Sequence, residues 1–291
     1  MDGIININKP KGLTSQQVVT RVKRILGVKK AGHTGTLDPN ATGVLPICLG
    51  KATRLASIIT GGEKAYKAQL ILGKTTDTQD ITGTVLEEKE VNATEEQISD
   101  AIFSFKGEIE QVPPMYSAIK VNGVRLHQLA RQNIEVERKA RKVHIYNIDV
   151  HGELTKKGAT IEVRCSAGTY IRTLCSDIGD KLDCGATMGE LQRTYAAGFF
   201  IHDALTLEDL ENFCQTKLIP MDKILGDYID LRAKMSATKF LVNGNKIELF
   251  EIIDMPQLKE NDCARLYDEK GNFFGLYKLK DNMLVPEIYL G

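Results

Sequence analysis

One carboxylate in this chain sits in a backbone that can be neither ordinary helix nor ordinary strand. In Gly32-His33-Thr34-Gly35-Thr36-Leu37-Asp38-Pro39-Asn40-Ala41-Thr42-Gly43, Pro39 pushes Asp38 toward extended geometry, and the glycines permit positive φ and close approach of another backbone. The run reads as a rigid loop that presents Asp38. A carboxylate so presented can attack an electrophilic carbon, remove a proton, or merely bond a nearby amide in an Asp-Pro turn. A glycosidase or phosphoesterase would need a second carboxylate or metal-ligand acids close by. Residues 1–62 contain only Asp2 and Asp38, which weighs against a carboxylate-nucleophile hydrolase.

The elements that must position this loop are legible around it. Thr14 with Gln17 forms a capping-box pattern, Val18, Val22, Ile25 and Leu26 share one face, and Gly27 supplies a stop. The spacing predicts an amphipathic helix with Arg21, Lys23 and Arg24 outward. A second helix is expected through Ala52, Leu55, Ala56 and Ile59. A third follows from Thr94 and Gln97, with Ile98, Ala101, Ile102 and Phe105 inside. Residues 66–72, 143–150 and 159–165 read as strands; in the last, Ile161, Val163 and Cys165 alternate with Thr160, Glu162 and Arg164. Helical spacing of Ile171, Leu174, Ile178 and Leu182 puts Arg172 in a first turn entered through Gly168-Thr169-Tyr170, where a guanidinium can point back into a cleft. A helix over Thr206–Leu210 precedes a boundary near Leu218–Asp222. Beyond it, 263–268, 273–279 and 283–289 are short strand candidates separated by turns, which suits a small β-barrel. Strands and helices mixed in this order indicate an α+β protein.

With 291 residues and 42% apolar content the chain can bury a full core. No apolar run approaches the roughly 20 residues needed to span a bilayer, and the amino terminus lacks a signal pattern, so a cytoplasmic protein away from the membrane is expected. Six cysteines without metal-ligand spacing read as free thiols, and no metal is implied. The formal net charge is zero, yet charge is segregated. Residues 1–62 carry nine basic groups, whereas 85–110 carry eight acids against Lys89 and Lys106. A basic segment coinciding with the Asp38 loop points to a phosphate-bearing partner.

Five segments in one order extend this reading to a family. Asn8-Lys9-Pro10-Lys11-Gly12-Leu13-Thr14-Ser15, the Asp38 loop, Lys64-Ala65-Tyr66-Lys67-Ala68, Val112-Pro113-Pro114-Met115-Tyr116-Ser117, and Gly168-Thr169-Tyr170-Ile171-Arg172-Thr173-Leu174 resemble the motifs of the TruB family of RNA pseudouridine synthases, over residues 6 to about 200. Asn40 and Gln192 depart from the pattern, standing where the family carries an apolar residue and an arginine. The resemblance implies a pseudouridine synthase fold: a central, mostly antiparallel sheet with a catalytic cleft, and a PUA-like β-barrel at the carboxy terminus. It sets a catalytic domain over 1–229, with an RNA-clasping insertion at about 113–142, and an RNA-binding domain over 230–291. The basic insertion suits a mobile arm that orders on its ligand, or a surface helical hairpin.

The resemblance assigns Asp38, Tyr66 and Arg172 as catalytic. Asp38 acts on the ribose, Arg172 holds it ionised, and Tyr66 stacks on the target base. His33 fills the space left by a flipped uridine, Tyr170 and Leu191 line the pocket, and Lys9 and Lys64 position the loop or meet phosphates. The implied substrate is the T-loop of tRNA, modified at position 55 by a monomer without cofactor or metal, since isomerisation adds and removes nothing. A noncatalytic RNA-binding or RNA-folding protein would share the basic face but would not need Asp38, Tyr66 and Arg172 together.

Overall fold

The computed structural model describes residues 1–117, 119–121, 123–132, 134–212 and 217–291. Its first part contains strands β1 (Gly3–Lys9), β2 (Ala31–His33), β3 (Thr42–Leu49), β4 (Lys64–Leu72), β5 (Lys74–Thr76), β6 (Val85–Glu88), β7 (Gly107–Gln111), β8 (Lys120–Val121), β9 (Val124–Arg125), β10 (Arg141–Thr155), β11 (Gly158–Cys165), β12 (Ala186–Ala196) and β13 (Phe199–Phe200). Helices α1 (Ser15–Leu26), α2 (Ala56–Gly61), α3 (Glu95–Phe103), α4 (Leu126–Ala130) and α5 (Ile171–Lys181) lie between them. The main sheet runs β1-β3-β12-β4-β11-β10-β7, with β2 added to β3 and β13 to β12. Its pairs are antiparallel except β3 with β12, where Gln192 faces Thr42 and Arg193 faces Gly43. That parallel junction brings the end of the Asp38 loop against β12.

Both expected capping boxes form, at Thr14 with Gln17 and at Thr94 with Gln97, and Gly27 ends α1 in the left-handed region. Val18, Val19 and Val22 of α1 pack on Ile5, Ile7, Leu45 and Ile47. Another apolar layer lies under α3 and α5, joining Ile98, Ile102, Leu174 and Ile178 to Tyr66, Ala68, Ile161 and Val163. The Asp38 loop belongs to this layer through Leu37 and Ala41.

The second sheet is built from β14 (Ile229–Ala233), β15 (Ile247–Glu248), β16 (Ile252–Ile253), β17 (Cys263–Asp268), β18 (Phe273–Lys280) and β19 (Met283–Tyr289), ordered β15-β19-β18-β17-β14-β16, with α6 (Thr238–Val242) beside it. It forms a nearly closed, barrel-like structure. Ile4, Val44, Cys48 and Leu55 of the first part share one buried cluster with Leu225, Leu276 and Leu290, so the two sheets are joined by a continuous apolar seam.

Three local expectations change. The helix over 206–210 is instead a 3-10 turn at Asp209–Asn212, although Thr206 and Asp209 bond each other's backbone N–H in the manner of a capping box. The second helix begins as a 3-10 turn over Gly50–Leu55 before α2. Within 113–142 the described residues form the β8–β9 ribbon and the short α4, not a helical hairpin. Cys48, Cys165, Cys175 and Cys184 are buried free thiols and Cys263 is partly buried; Cys214 lies outside the described residues.

Gly43 shows how tightly β3 meets β12. Its φ is 102°, and a Cβ there would lie 2.2 Å from the Arg193 carbonyl oxygen. Gly43→Ala should destabilise the protein by at least ~2 kcal/mol in denaturant unfolding, since neither backbone can move without opening the junction; a change under 0.5 kcal/mol would refute this packing.

Candidate active site

The Asp38 loop leaves β2 at His33 and re-enters the sheet at β3, and its backbone is bonded mainly by side chains from elsewhere. Ser15, at the start of α1, accepts from Leu37 N–H at 2.8 Å and donates to the Leu37 carbonyl at 3.1 Å. Lys9 Nζ donates to the carbonyls of Pro10, Leu13 and Pro39 at 2.9, 2.6 and 3.0 Å. Arg193 donates from Nε to Val44 O at 2.7 Å and from Nη2 to Gly35 O at 3.0 Å. Gly12 N–H reaches Pro39 O, and Thr34 bonds Pro46 O. A loop rich in Gly and Thr has little apolar surface to bury, so these bonds supply the order that its own packing lacks.

Asp38 emerges at the lip of this frame with its side chain 43% exposed. Arg172, buried in the first turn of α5, turns back as expected and places Nη2 3.3 Å from Asp38 Oδ2. The same guanidinium places Nη1 3.5 Å from Asp80 Oδ2 and donates to the carbonyls of Thr78 and Tyr116 at 3.2 and 2.8 Å. Asp80 is itself fixed: its Oδ1 accepts from the Thr78 hydroxyl, the Thr82 hydroxyl and the Thr82 N–H. Arg172 is therefore oriented by four oxygens, one of which belongs to the Asp38 carboxylate. A planar fork meets this arrangement; a point charge does not.

Tyr66 is buried on β4, in register with Arg193 on β12 and within the layer that holds Leu37 and Leu191. Burial raises its pKa, with the facing Arg193 guanidinium opposing, so the phenol stays protonated at neutral pH. His33 is half-buried. Its Nδ1 accepts the Gly35 N–H at 3.4 Å, and burial, reinforced by Arg193, lowers its pKa. A neutral ring with the proton on Nε2 follows. Tyr170 caps α5 and its backbone is clamped by Gln111, which donates to Tyr170 O and accepts from Tyr170 N–H. Leu191 packs against the Asp38 layer and lines a pocket of about 420 Å³ with Lys11, Asn40, Thr42 and Gln192.

Of the two roles expected for the lysines, positioning the loop or meeting phosphates, Lys9 takes the first. Lys9 is fully buried and each of its three donors holds a carbonyl, so none remains for a phosphate. Lys64 donates to Thr60 O and Gly62 O and is nearly buried. Lys9 braces the Asp38 loop, and Lys64 ties the start of β4 to the end of α2. Sequence reasoning missed Asp80, although Thr78-Gln79-Asp80-Ile81-Thr82 carries the hydroxyl spacing of an Asx turn. It also missed Arg193, which has no local signal: a strand arginine reads as exposed until its neighbours are known. Among the described residues no group of three or more His, Cys, Asp or Glu could hold a metal ion, and no helix is long and apolar enough to cross a membrane.

This geometry meets its relatives over the whole chain. Residues 23–171 match the TruB family pseudouridylate synthase (N terminal domain), and residues 172–230 match the tRNA pseudouridylate synthase B C-terminal domain. The chain belongs to the TruB family. It is 47% identical to the tRNA pseudouridine synthase B of Clostridium acetobutylicum, covering 97% of this chain and 96% of that one. To the tRNA pseudouridine synthase B of Clostridium tetani it is 48% identical, covering 99% of each. Among solved structures, a Cbf5-Nop10-Gar1 complex matches with a TM-score of 0.72 at 30% identity, over 96% of this chain and 78% of that chain. An H/ACA RNP bound to a substrate RNA containing 2′-deoxyuridine matches with a TM-score of 0.74 at 27% identity, over 99% and 85%. The likeness covers both sheets, so the TruB-type pseudouridine synthase fold extends through the barrel-like carboxy-terminal part.

Two outcomes follow from this site. Arg172→Lys should lower turnover by at least about 10²-fold, because it keeps the charge and loses the simultaneous hold on Asp38 and Asp80; wild-type turnover would show that the fork is dispensable. Burial is the largest influence on both lysines and pulls Lys9 and Lys64 down to about 8 from 10.5, with Asp38 opposing at Lys9. The unfolded chain then binds more protons than the folded one between pH 8 and 10.5, so their contribution to stability rises with pH across that window. The stability difference between wild type and Lys9→Met should shift in favour of wild type from pH 8 to pH 10. A difference independent of pH would mean that Lys9 does not titrate in the fold.

Proposed function

We propose that this protein isomerises uridine to pseudouridine in the T-loop of tRNA, at position 55. The observation that carries the reading is Arg172, locked between Asp38 and Asp80 beside a buried Tyr66. A noncatalytic RNA-binding protein has no use for an aspartate on a braced loop with its own buried counter-ion. In the reaction the target uridine leaves its stack at a cost of a few kcal/mol. Asp38 then acts on the ribose, either at C1′ or by removing a ribose proton, and the C1′–N1 bond breaks. The freed base turns and rejoins through C5 against Tyr66, and the C5 proton is lost. Tyr170 and Leu191 wall the pocket, and the neutral His33 ring fills space vacated by the flipped base.

RNA affinity in this reading comes from two basic surfaces. Arg21 and Arg24 are exposed on α1, and Lys120, Arg125, Arg131, Lys139 and Arg141 are exposed in the insertion. Arg138 is different: it bonds Glu135 and the Pro113 carbonyl and so ties the insertion's base together. The second sheet, residues 230–291, contacts tRNA away from the reacting loop. In this reading the enzyme works on tRNA as a monomer in the cytoplasm.

Incubation with unmodified tRNA transcript should yield pseudouridine at position 55 alone; modification elsewhere, or none, would overturn the assignment. Each neutralised phosphate contributes a log–log salt slope of roughly −0.7 to −0.9. Replacing Arg131, Lys139 and Arg141 by alanine should weaken tRNA binding and flatten that slope by about 2 units. An unchanged slope would remove the insertion from the RNA interface.

A further inference from the structure

Arg193 is among the largest fully buried side chains of the protein, and its charge has no carboxylate partner among the described residues. Its hydrogen bonds go to neutral groups alone, the carbonyls of Val44 and Gly35 and the protonated phenol of Tyr66. A neutral amide could supply two donors at far lower desolvation cost, because burying an unpaired cation costs several kcal/mol. The charge itself therefore requires an explanation. Lys9 and Lys64, also buried, lie in the same electrostatic neighbourhood and are likewise bonded to carbonyls alone. With Arg172 the frame holds four cations against two carboxylates, Asp38 and Asp80, both of which engage Arg172. The site is short of negative charge before any substrate enters.

The proposed reaction generates negative charge at that place. When the C1′–N1 bond breaks, its electron pair stays on N1 and spreads onto O2 and O4 of the uracil. Asp38 meanwhile bonds C1′ or takes a ribose proton. When C5 joins C1′ the Asp38–C1′ bond breaks, or the ribose proton returns from Asp38, the C5 proton leaves and N1 regains a proton, so the anion exists only between the two bonds. We propose that Arg193 is an electrostatic positioning residue for this step: its buried, unneutralised charge, one strand across from Tyr66 and backed by Lys9 and Lys64, lowers the cost of the negative charge on the departing uracil. This rests on the pseudouridine synthase reading, and activity of the wild-type enzyme tests that reading separately. A preorganised charge in a water-poor site acts more strongly on a developing anion than on the neutral substrate, so the effect falls on the chemical step and leaves binding alone.

Single-turnover rates on tRNA at saturating enzyme, for Arg193→Gln and Arg193→Lys, separate charge from bracing. Arg193→Gln should lower the rate by about 10²-fold with affinity within about threefold. Arg193→Lys, which keeps the charge and loses the fork to Val44 and Gly35, should recover at least about tenfold of that loss. The same rates are then measured on RNA carrying 5-fluorouridine at the target, whose base is more acidic and leaves with less help, by conversion to its rearranged product. There the defect of Arg193→Gln relative to wild type should shrink. Equal defects for Gln and Lys, or a Gln defect of the same size on both bases, would reduce Arg193 to a brace and overturn the proposal. If Arg193→Gln does not fold, as judged by thermal unfolding, Lys64→Met removes a second charge of the cluster and decides the same question: its defect must shrink on the fluorinated base, and an unchanged defect overturns the proposal.

Discussion

Buried cations bonded to backbone carbonyls hold the catalytic loop, and the rest of the site depends on them. Residues 34–43 carry few side chains able to pack, and a loop of that composition would sample many conformations in isolation. Lys9 closes its Pro39 side, Arg193 its Gly35 and Val44 side, and Ser15 its Leu37 centre. Each of these side chains comes from a regular element, β1, β12 or the first residue of α1, so the rigidity of the main sheet is passed to the loop. The parallel β3–β12 junction is what permits this, since it sets Arg193 directly beside Gly43.

Within that frame Asp38 remains half exposed while its partner Arg172 is buried. The carboxylate stays accessible from solvent, and the guanidinium that orients it is shielded from solvent. Arg172 also takes the Tyr116 carbonyl, at the root of the basic insertion, with the same nitrogen that faces Asp38. The chain segment around Tyr116 thus ends on the Arg172–Asp38 ion pair.

Much of this was legible in the sequence where the information is local. Capping boxes at Thr14 and Thr94, alternation over 159–165, and the first-turn placement of Arg172 are set by neighbours a few residues away, and each has its counterpart in the structure. The Thr206 segment carries the same reciprocal capping bonds, through Asp209, yet the described residues after it wind as a 3-10 turn, so a local start signal does not fix the kind of helix that follows. Asp80 and Arg193 were not legible for a different reason. Their roles arise from contacts 92 and 149 residues apart in the chain, at Arg172 and Val44, and no periodicity records such a meeting. Lys9 and Lys64 could be assigned to the neighbourhood of the loop, but only the folded structure shows that all three donors of Lys9 hold carbonyls.

The central claim is that the charge on Asp38, held by Arg172 on a braced loop, performs the chemistry. Its most direct test is tritium release from tRNA carrying uridine labelled at C5, measured in a single turnover with Asp38→Asn beside wild type, together with RNA affinity. The account predicts no release above background from the variant while affinity stays within about tenfold of wild type, because the swap keeps shape and removes the reacting charge. Appreciable release by the purified variant would contradict it.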